Sequence, residues 1–361
     1  MQVETSGGAG LSVSGGPPAA GDQVPGAAPD GRGGQRDPGA AAEPGGDGDP
    51  GGDGDPGGDG DPGGDGDPGG LRPVRALSPS RAGDFMTCPL LYRFRVIDRL
   101  PEPPSAAMAR GTLVHAVLER LFDEPAVRRT PQAARDLVAP QWERLLAQEP
   151  ELAGLFDDDE QRGAWLSEAS GMLDRYFTLE DPTRLEPAHR ELPVQAVLDS
   201  GLTLRGYIDR LDVATTGEIR IVDYKTGSAP REDFEARALF QMKFYALVLW
   251  RTGGTVPRLL QLIYLGNGEI VRYAPDEADL LATERKINAL WRAIERARSS
   301  GDWRPRQSRL CAWCAHQAIC PVFGGTPPPL PPLPAGAPAG IEIPLPETRM
   351  LPESPRQPAR T

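Results

Sequence analysis

The stretch Leu204–Gly227, LRGYIDRLDVATTGEIRIVDYKTG, limits what this chain can fold into more than any other. It reads as two strands joined by a turn at Thr215–Glu218 that carries Gly217. Side chains along a strand alternate between faces, and this separates two sets. In the second strand Ile219, Ile221, Asp223 and Lys225 share one face, with Arg220, Val222 and Tyr224 on the other. The first face begins apolar and ends in a carboxylate and an ammonium two positions apart. In the first strand Asp209 lies on the face of Tyr207, Leu211 and Val213, the apolar one. Asp212 alternates with Arg210 on the opposite face, which is expected to be solvated. A carboxylate aimed at a core is costly unless paired or bound to a metal. Two carboxylates and a lysine converging at strand ends can hold a hard cation beside an activated water.

A plain β-hairpin with a buried Asp–Lys ion pair is the alternative those residues allow. Lysine usage bears on the choice. The chain has 36 Arg and only three Lys, at 225, 243 and 286. A protein that draws its positive charge from arginine places lysine here, the compact point charge suited to a reacting phosphate.

Only part of the chain is composed to fold. Residues 1–70 are mostly Gly, Pro, Ala and Asp, with four tandem GGDGDP units from Gly45 to Pro68. Such a segment buries too little surface to offset its ordering entropy and is expected to be a disordered acidic tail. From Gly324 to the end the chain is proline-rich and reads as an extended tail. The foldable part is therefore 71–323. Of the net charge of −12, the first 70 residues carry −11, from 13 acids and two arginines. The near-neutral remainder argues against tight duplex binding by charge alone. It is unevenly charged, however: Arg285–Arg309 holds eight basic and two acidic residues. No basic run followed by an apolar one opens the sequence, and Phe244–Trp250 is too short to span a bilayer. The expectation is a soluble, cytoplasmic protein without a membrane partner.

Helices are expected at Ser78–Thr87 (Ser-Pro start), at Ala106–Asp123, near Pro131–Gln148 and near Arg162–Leu179. His115 and Glu119 fall one turn apart on the second of these. After a strand at Glu191–Leu198 and the two already described, Asp233–Arg251 reads as a largely buried helix bearing Gln241 and Tyr245 on one face. A hairpin, Leu259–Leu265 and Glu269–Tyr273, and a last helix, Asp276–Arg298, complete an α/β core. The helical part spans 78–185, the sheet core 188–300 and a cysteine segment 305–323.

In a reducing compartment four cysteines point to metal ligation rather than disulfides. Cys88 stands alone; Cys311, Cys314 and Cys320 form C-x2-C-x5-C-P. The spacing leaves open a structural zinc, held by the four thiolates or with His316 as a ligand, and an iron–sulfur cluster. Either would staple the ends of the folded part and gather Arg81, Arg93, Arg95, Arg304 and Arg306 in one neighbourhood.

Five pieces occur in one order: S-x-S-x3-D-F-x2-C-P at Ser78–Pro89, G-x3-H-x2-L-E at Gly111–Glu119, and G-x-I-D-R at Gly206–Arg210. D-Y-K-T-G at Asp223–Gly227 with Q-x3-Y at Gln241–Tyr245 follows, and then the terminal cysteines. Together they resemble the RecB-family exonucleases of the PD-(D/E)XK nuclease superfamily, including those with an AddB-type iron–sulfur staple. The resemblance implies a restriction-endonuclease-like core, a mixed central sheet flanked by helices, with a C-terminal cluster segment. It implies a DNA nuclease of repair or recombination that requires Mg2+ or Mn2+ and acts on single strands or duplex ends. By the same resemblance, His115, Asp209, Asp223 and the Tyr224 carbonyl hold the cation, and Lys225 positions the attacking water. Gln241 and Tyr245 order Lys225, and Cys88, Cys311, Cys314 and Cys320 hold a [4Fe–4S] cluster. The sequence contains no G-x4-G-K-[ST] loop, so unwinding would need a separate helicase. A catalytically silent DNA-binding or scaffold subunit and an RNA-directed nuclease are the competing functions.

Overall fold

Strand alternation at Ile219–Lys225 decides the layering, because residues on both of its faces are buried. A strand of that kind needs cover on both sides. The computed structural model describes residues 76–229 and 232–331. The expectations for residues 1–70 and for the chain beyond 331 lie outside the described residues.

The elements run β1 (Ala76–Leu77), α1 (Pro79–Thr87), α2 (Pro89–Tyr92), a π-helical turn (Arg93–Ile97), α3 (Ala106–Leu121), α4 (Pro131–Gln148) and α5 (Asp159–Leu179). Then come β2 (His189–Val197), β3 (Thr203–Val213), β4 (Ile219–Lys225), α6 (Glu232–Gly253), β5 (Leu259–Tyr264), β6 (Glu269–Tyr273) and α7 (Glu277–Ser300). Local chemistry sets several boundaries. Ser78 caps α1 by accepting the Arg81 amide, and Pro79 occupies the first helical position. Asp276 and Asp279 close a reciprocal capping box at the start of α7.

The sheet is mixed, in the order β1-β3-β4-β5-β6, with β2 on the other edge of β3. β4 and β5 are parallel and joined through α6, as a parallel pair requires a crossover. On one side Ile219, Ile221, Leu260 and Leu262 pack with residues of α1, α2, α6 and α7. On the other, Val222, Tyr224, Ile263 and Leu265 pack with α3, α4 and α5. The central mixed sheet flanked by helices has the form expected of the core.

One expectation fails here. Arg210 is 1% exposed, and Asp212 is paired rather than solvated. The cause is the α3–α5 layer, which covers the face that alternation alone assigned to solvent. Arg210 gives both guanidinium ends to Glu180, at 2.8 and 3.0 Å, and donates to the Tyr224 hydroxyl at 2.6 Å. Asp212 accepts from Arg210 and, at 2.8 Å, from Arg220. Gln261 donates to Glu180 and accepts from Arg272, carrying the network across four strands. The start of the proline-rich segment also stays against the body: Arg93 donates to the Pro328 carbonyl.

Removing one member of a buried ion network leaves the rest uncompensated, typically at about 3–5 kcal/mol. Arg210→Met should therefore destabilise the protein by about 3 kcal/mol in urea unfolding, the low end, because Arg220 still reaches Glu180 and Asp212.

Candidate active site

The ladder between β3 and β4 lasts four pairs, from Val213↔Ile219 to Arg210↔Val222, and then the strands fork. Further up, the same edge of β3 is taken by β1, at Thr203 and Leu204. In the fork the Tyr224 amide donates to Asp209 Oδ2 at 2.8 Å, so a side-chain carboxylate stands where a ladder carbonyl would be. Asp223, 3% exposed, sits next to it, with its Oδ2 3.2 Å from Lys225 Nζ. Lys225 in turn donates to Gln241 Oε1 of α6 at 2.9 Å. The strand end is held firmly, because Gly227 lies against Gly266 of the β5–β6 turn. A Cβ on Gly266 would come within 2.4 Å of the Gly227 carbonyl.

His115 enters from α3. Its Nε2–H donates to the Tyr224 carbonyl at 2.8 Å, and its Nδ1 lies 3.5 Å from Asp209 Oδ2. The carbonyl that the resemblance assigns to the cation therefore orients the imidazole here. Burial by itself disfavours the imidazolium, but the charges of Asp209, Glu191 and Asp223 outweigh it and raise the His115 pKa above its ordinary value. Tyr245 is buried one turn beyond Gln241, its ring resting on Gly206. A Cβ at 206 would meet that ring at 2.7 Å, which gives the glycine of G-x-I-D-R a packing reason. Glu119 lies apart, 3.9 Å from Arg120.

Sequence reasoning missed Glu191. Its carboxylate is 4.0 Å from His115 Nδ1, and ligand atoms of His115, Glu191 and Asp209 all lie within 4.8 Å of one another. The available signal was its position in register with Asp209 on the neighbouring strand, which is visible only once the strands are paired.

The cysteines lie at the chain's two folded ends. Cys88 Sγ accepts the Arg306 amide at 3.3 Å, and the Arg306 guanidinium donates to the Met86 carbonyl. Cys311 Sγ accepts the Ser308 amide at 3.4 Å. Among the described residues no three of the four sulfurs come within 4.8 Å of one another. His316 is buried, with its Nε2 at 2.7 Å from Glu102. Glu102 and Asp84 also take the Arg95 guanidinium, so α1, the π-helical turn and the cysteine segment share one clasp. Of the five arginines singled out, Arg95 is spent in that clasp and Arg93 is buried against Asp98. Arg81 is half-buried, whereas Arg304 and Arg306 are exposed.

The geometry has a family. The model of the PD-(D/E)XK nuclease superfamily matches residues 76–321, and the chain belongs to that superfamily. The chain is similar to the Gene 69 protein of Mycobacterium phage L5, 24% identical over 70% of this chain and 98% of that one. The Gene 69 protein of Mycobacterium phage D29 is 27% identical over 70% and 97% of the two chains. A solved structure of a candidate exonuclease from Eubacterium rectale aligns over 67% of this chain and 88% of its own, at 14% identity and a TM-score of 0.46. No helix among the described residues is long and apolar enough to cross a membrane.

In the metal-free protein, NMR should show His115 titrating above 6.5, the ordinary histidine value. Asp209→Asn should lower that midpoint, because it removes the nearest negative charge; an unmoved midpoint would contradict the geometry.

Proposed function

We propose that the chain is a cation-dependent DNA nuclease of RecB type, an exonuclease serving repair or recombination. The observation that carries this reading is the fork: a superfamily of nucleases, and within it two carboxylates, an imidazole and a lysine meeting where two strands part. The donors are carboxylate oxygens and imidazole nitrogen, the types that hold Mg2+ or Mn2+. His115, Asp209 and Asp223 would hold it. When bound, such a cation polarises a phosphoryl oxygen and lowers the pKa of a coordinated water. The protein's own part is positioning. Gln241 fixes the Lys225 ammonium beside Asp223, where it can neutralise charge developing on the phosphoryl group. Tyr224 aligns two groups at once: its amide holds Asp209 and its carbonyl holds His115.

We propose further that Cys88, Cys311, Cys314 and Cys320 hold a [4Fe–4S] cluster. The amides of Arg306 and Ser308 supply hydrogen bonds of the kind cluster sulfurs receive. Arg304 and Arg306 are the exposed members of the basic group, Arg304 paired with Asp302 and Arg306 donating to the Met86 carbonyl, and DNA phosphates would compete for them.

Lys225→Ala and Asp223→Ala should each abolish cleavage of end-labelled DNA in Mg2+ while keeping the circular dichroism of the native fold. Wild-type rates in either folded variant would remove the assignment. Separately, Cys88→Ala prepared without air should lose its iron and visible colour and unfold at lower urea, because the staple closes nearly the whole folded chain. One zinc and no iron in the wild-type protein would overturn the cluster and leave the nuclease reading standing.

A further inference from the structure

Glu191 stands where the sheet is irregular. β2 pairs with β3 at Arg190↔Arg210 and again at Leu192↔Ile208, and the intervening pair of Glu191 with Asp209 is missing from the ladder. Glu191 has φ 44°, in the left-handed region that residues bearing a Cβ seldom occupy. On the same stretch of β3, Ile208 and Leu211 both join the core beneath α6, although strict alternation would set them on opposite faces. The face alternation of β3 thus breaks at one point while the register on either side is unchanged, and both carboxylates at that point face His115.

The imidazole is prepared for a ligand. Its Nε2–H is given to the Tyr224 carbonyl, so in the neutral ring Nδ1 carries the lone pair. Nδ1 faces Asp209 at 3.5 Å and Glu191 at 4.0 Å. An imidazole whose other nitrogen is tied to a backbone carbonyl is the usual arrangement of a metal-bound histidine. We infer that Glu191 is a further metal-binding residue of this centre, supplying a carboxylate on its more exposed side. The inference rests on the cation-dependent nuclease reading and extends it to a residue that belongs to none of the five sequence pieces carrying the resemblance. It also gives the left-handed backbone a purpose, since that turn brings the side chain to His115.

The test is Mn2+ binding to the full chain without DNA, followed by the electron paramagnetic resonance of free Mn2+, alongside urea unfolding of the metal-free protein. Glu191→Gln should weaken Mn2+ binding about 10–100-fold and leave the urea midpoint in place. Glu191→Gly should weaken it as much while raising the midpoint, because glycine accepts the positive φ without strain. Unchanged Mn2+ affinity in both variants overturns the inference, and a lowered midpoint with intact affinity does the same by making Glu191 structural. Should the wild-type protein take up no Mn2+, the cation reading itself falls and this inference with it. Loss of Mn2+ in Asp209→Asn but not in Glu191→Gln sinks the inference alone.

Discussion

A single hydrogen bond, from the Tyr224 amide to the Asp209 carboxylate, marks the point where this sheet stops being a sheet. Had β3 and β4 continued their ladder, that amide would have met a backbone carbonyl and Asp209 would have been one more side chain on a flat face. Instead the strands part, and the carboxylate satisfies a buried donor that would otherwise be orphaned. The same residue then turns its carbonyl to His115. One peptide thus sets the positions of an acid from β3 and an imidazole from α3, elements far apart in the chain.

That peptide needs support from behind, and Arg210 provides it. Its guanidinium, sealed beneath α5, holds the Tyr224 hydroxyl while Glu180 and Asp212 balance its charge. A buried ion network is weak evidence for stability, but it permits few alternative arrangements of the groups it joins. Ring packing adds to this: Tyr224 meets His115 and Tyr176 edge to face. On the opposite face Tyr245 presses on Gly206 and Gln241 holds Lys225. The fork is clamped from both sides of the sheet.

Much of this was legible in the sequence. Period and caps located every long helix and the five long strands to within a few residues, because Ser78, Asp276 and the Gly266–Gly268 turn act locally. The juxtaposition of Asp209, Asp223 and Lys225 follows from alternation once the two strands are antiparallel neighbours. What stayed hidden depends on layers and register. Arg210 and Asp212 look solvent-facing until α3–α5 are laid over them. Arg93 and Arg95 read as members of one basic neighbourhood because nothing local announces Asp98, Asp84 or Glu102 as partners. Glu191 carries no motif, since its relation to Asp209 exists only across strands. The two-residue β1 and the π-helical turn at Arg93–Ile97 are too short for any periodicity to reveal.

If the fork is a working centre, and not a nuclease fold kept for binding, the protein itself must break phosphodiester bonds. The direct measurement is cleavage of end-labelled single- and double-stranded DNA by the wild-type protein, purified without air, with Mg2+ or Mn2+ and with a chelator in parallel. A working centre gives shortened products that depend on the cation and vanish with the chelator. Folded protein that binds the DNA and leaves it intact under every metal condition would contradict it.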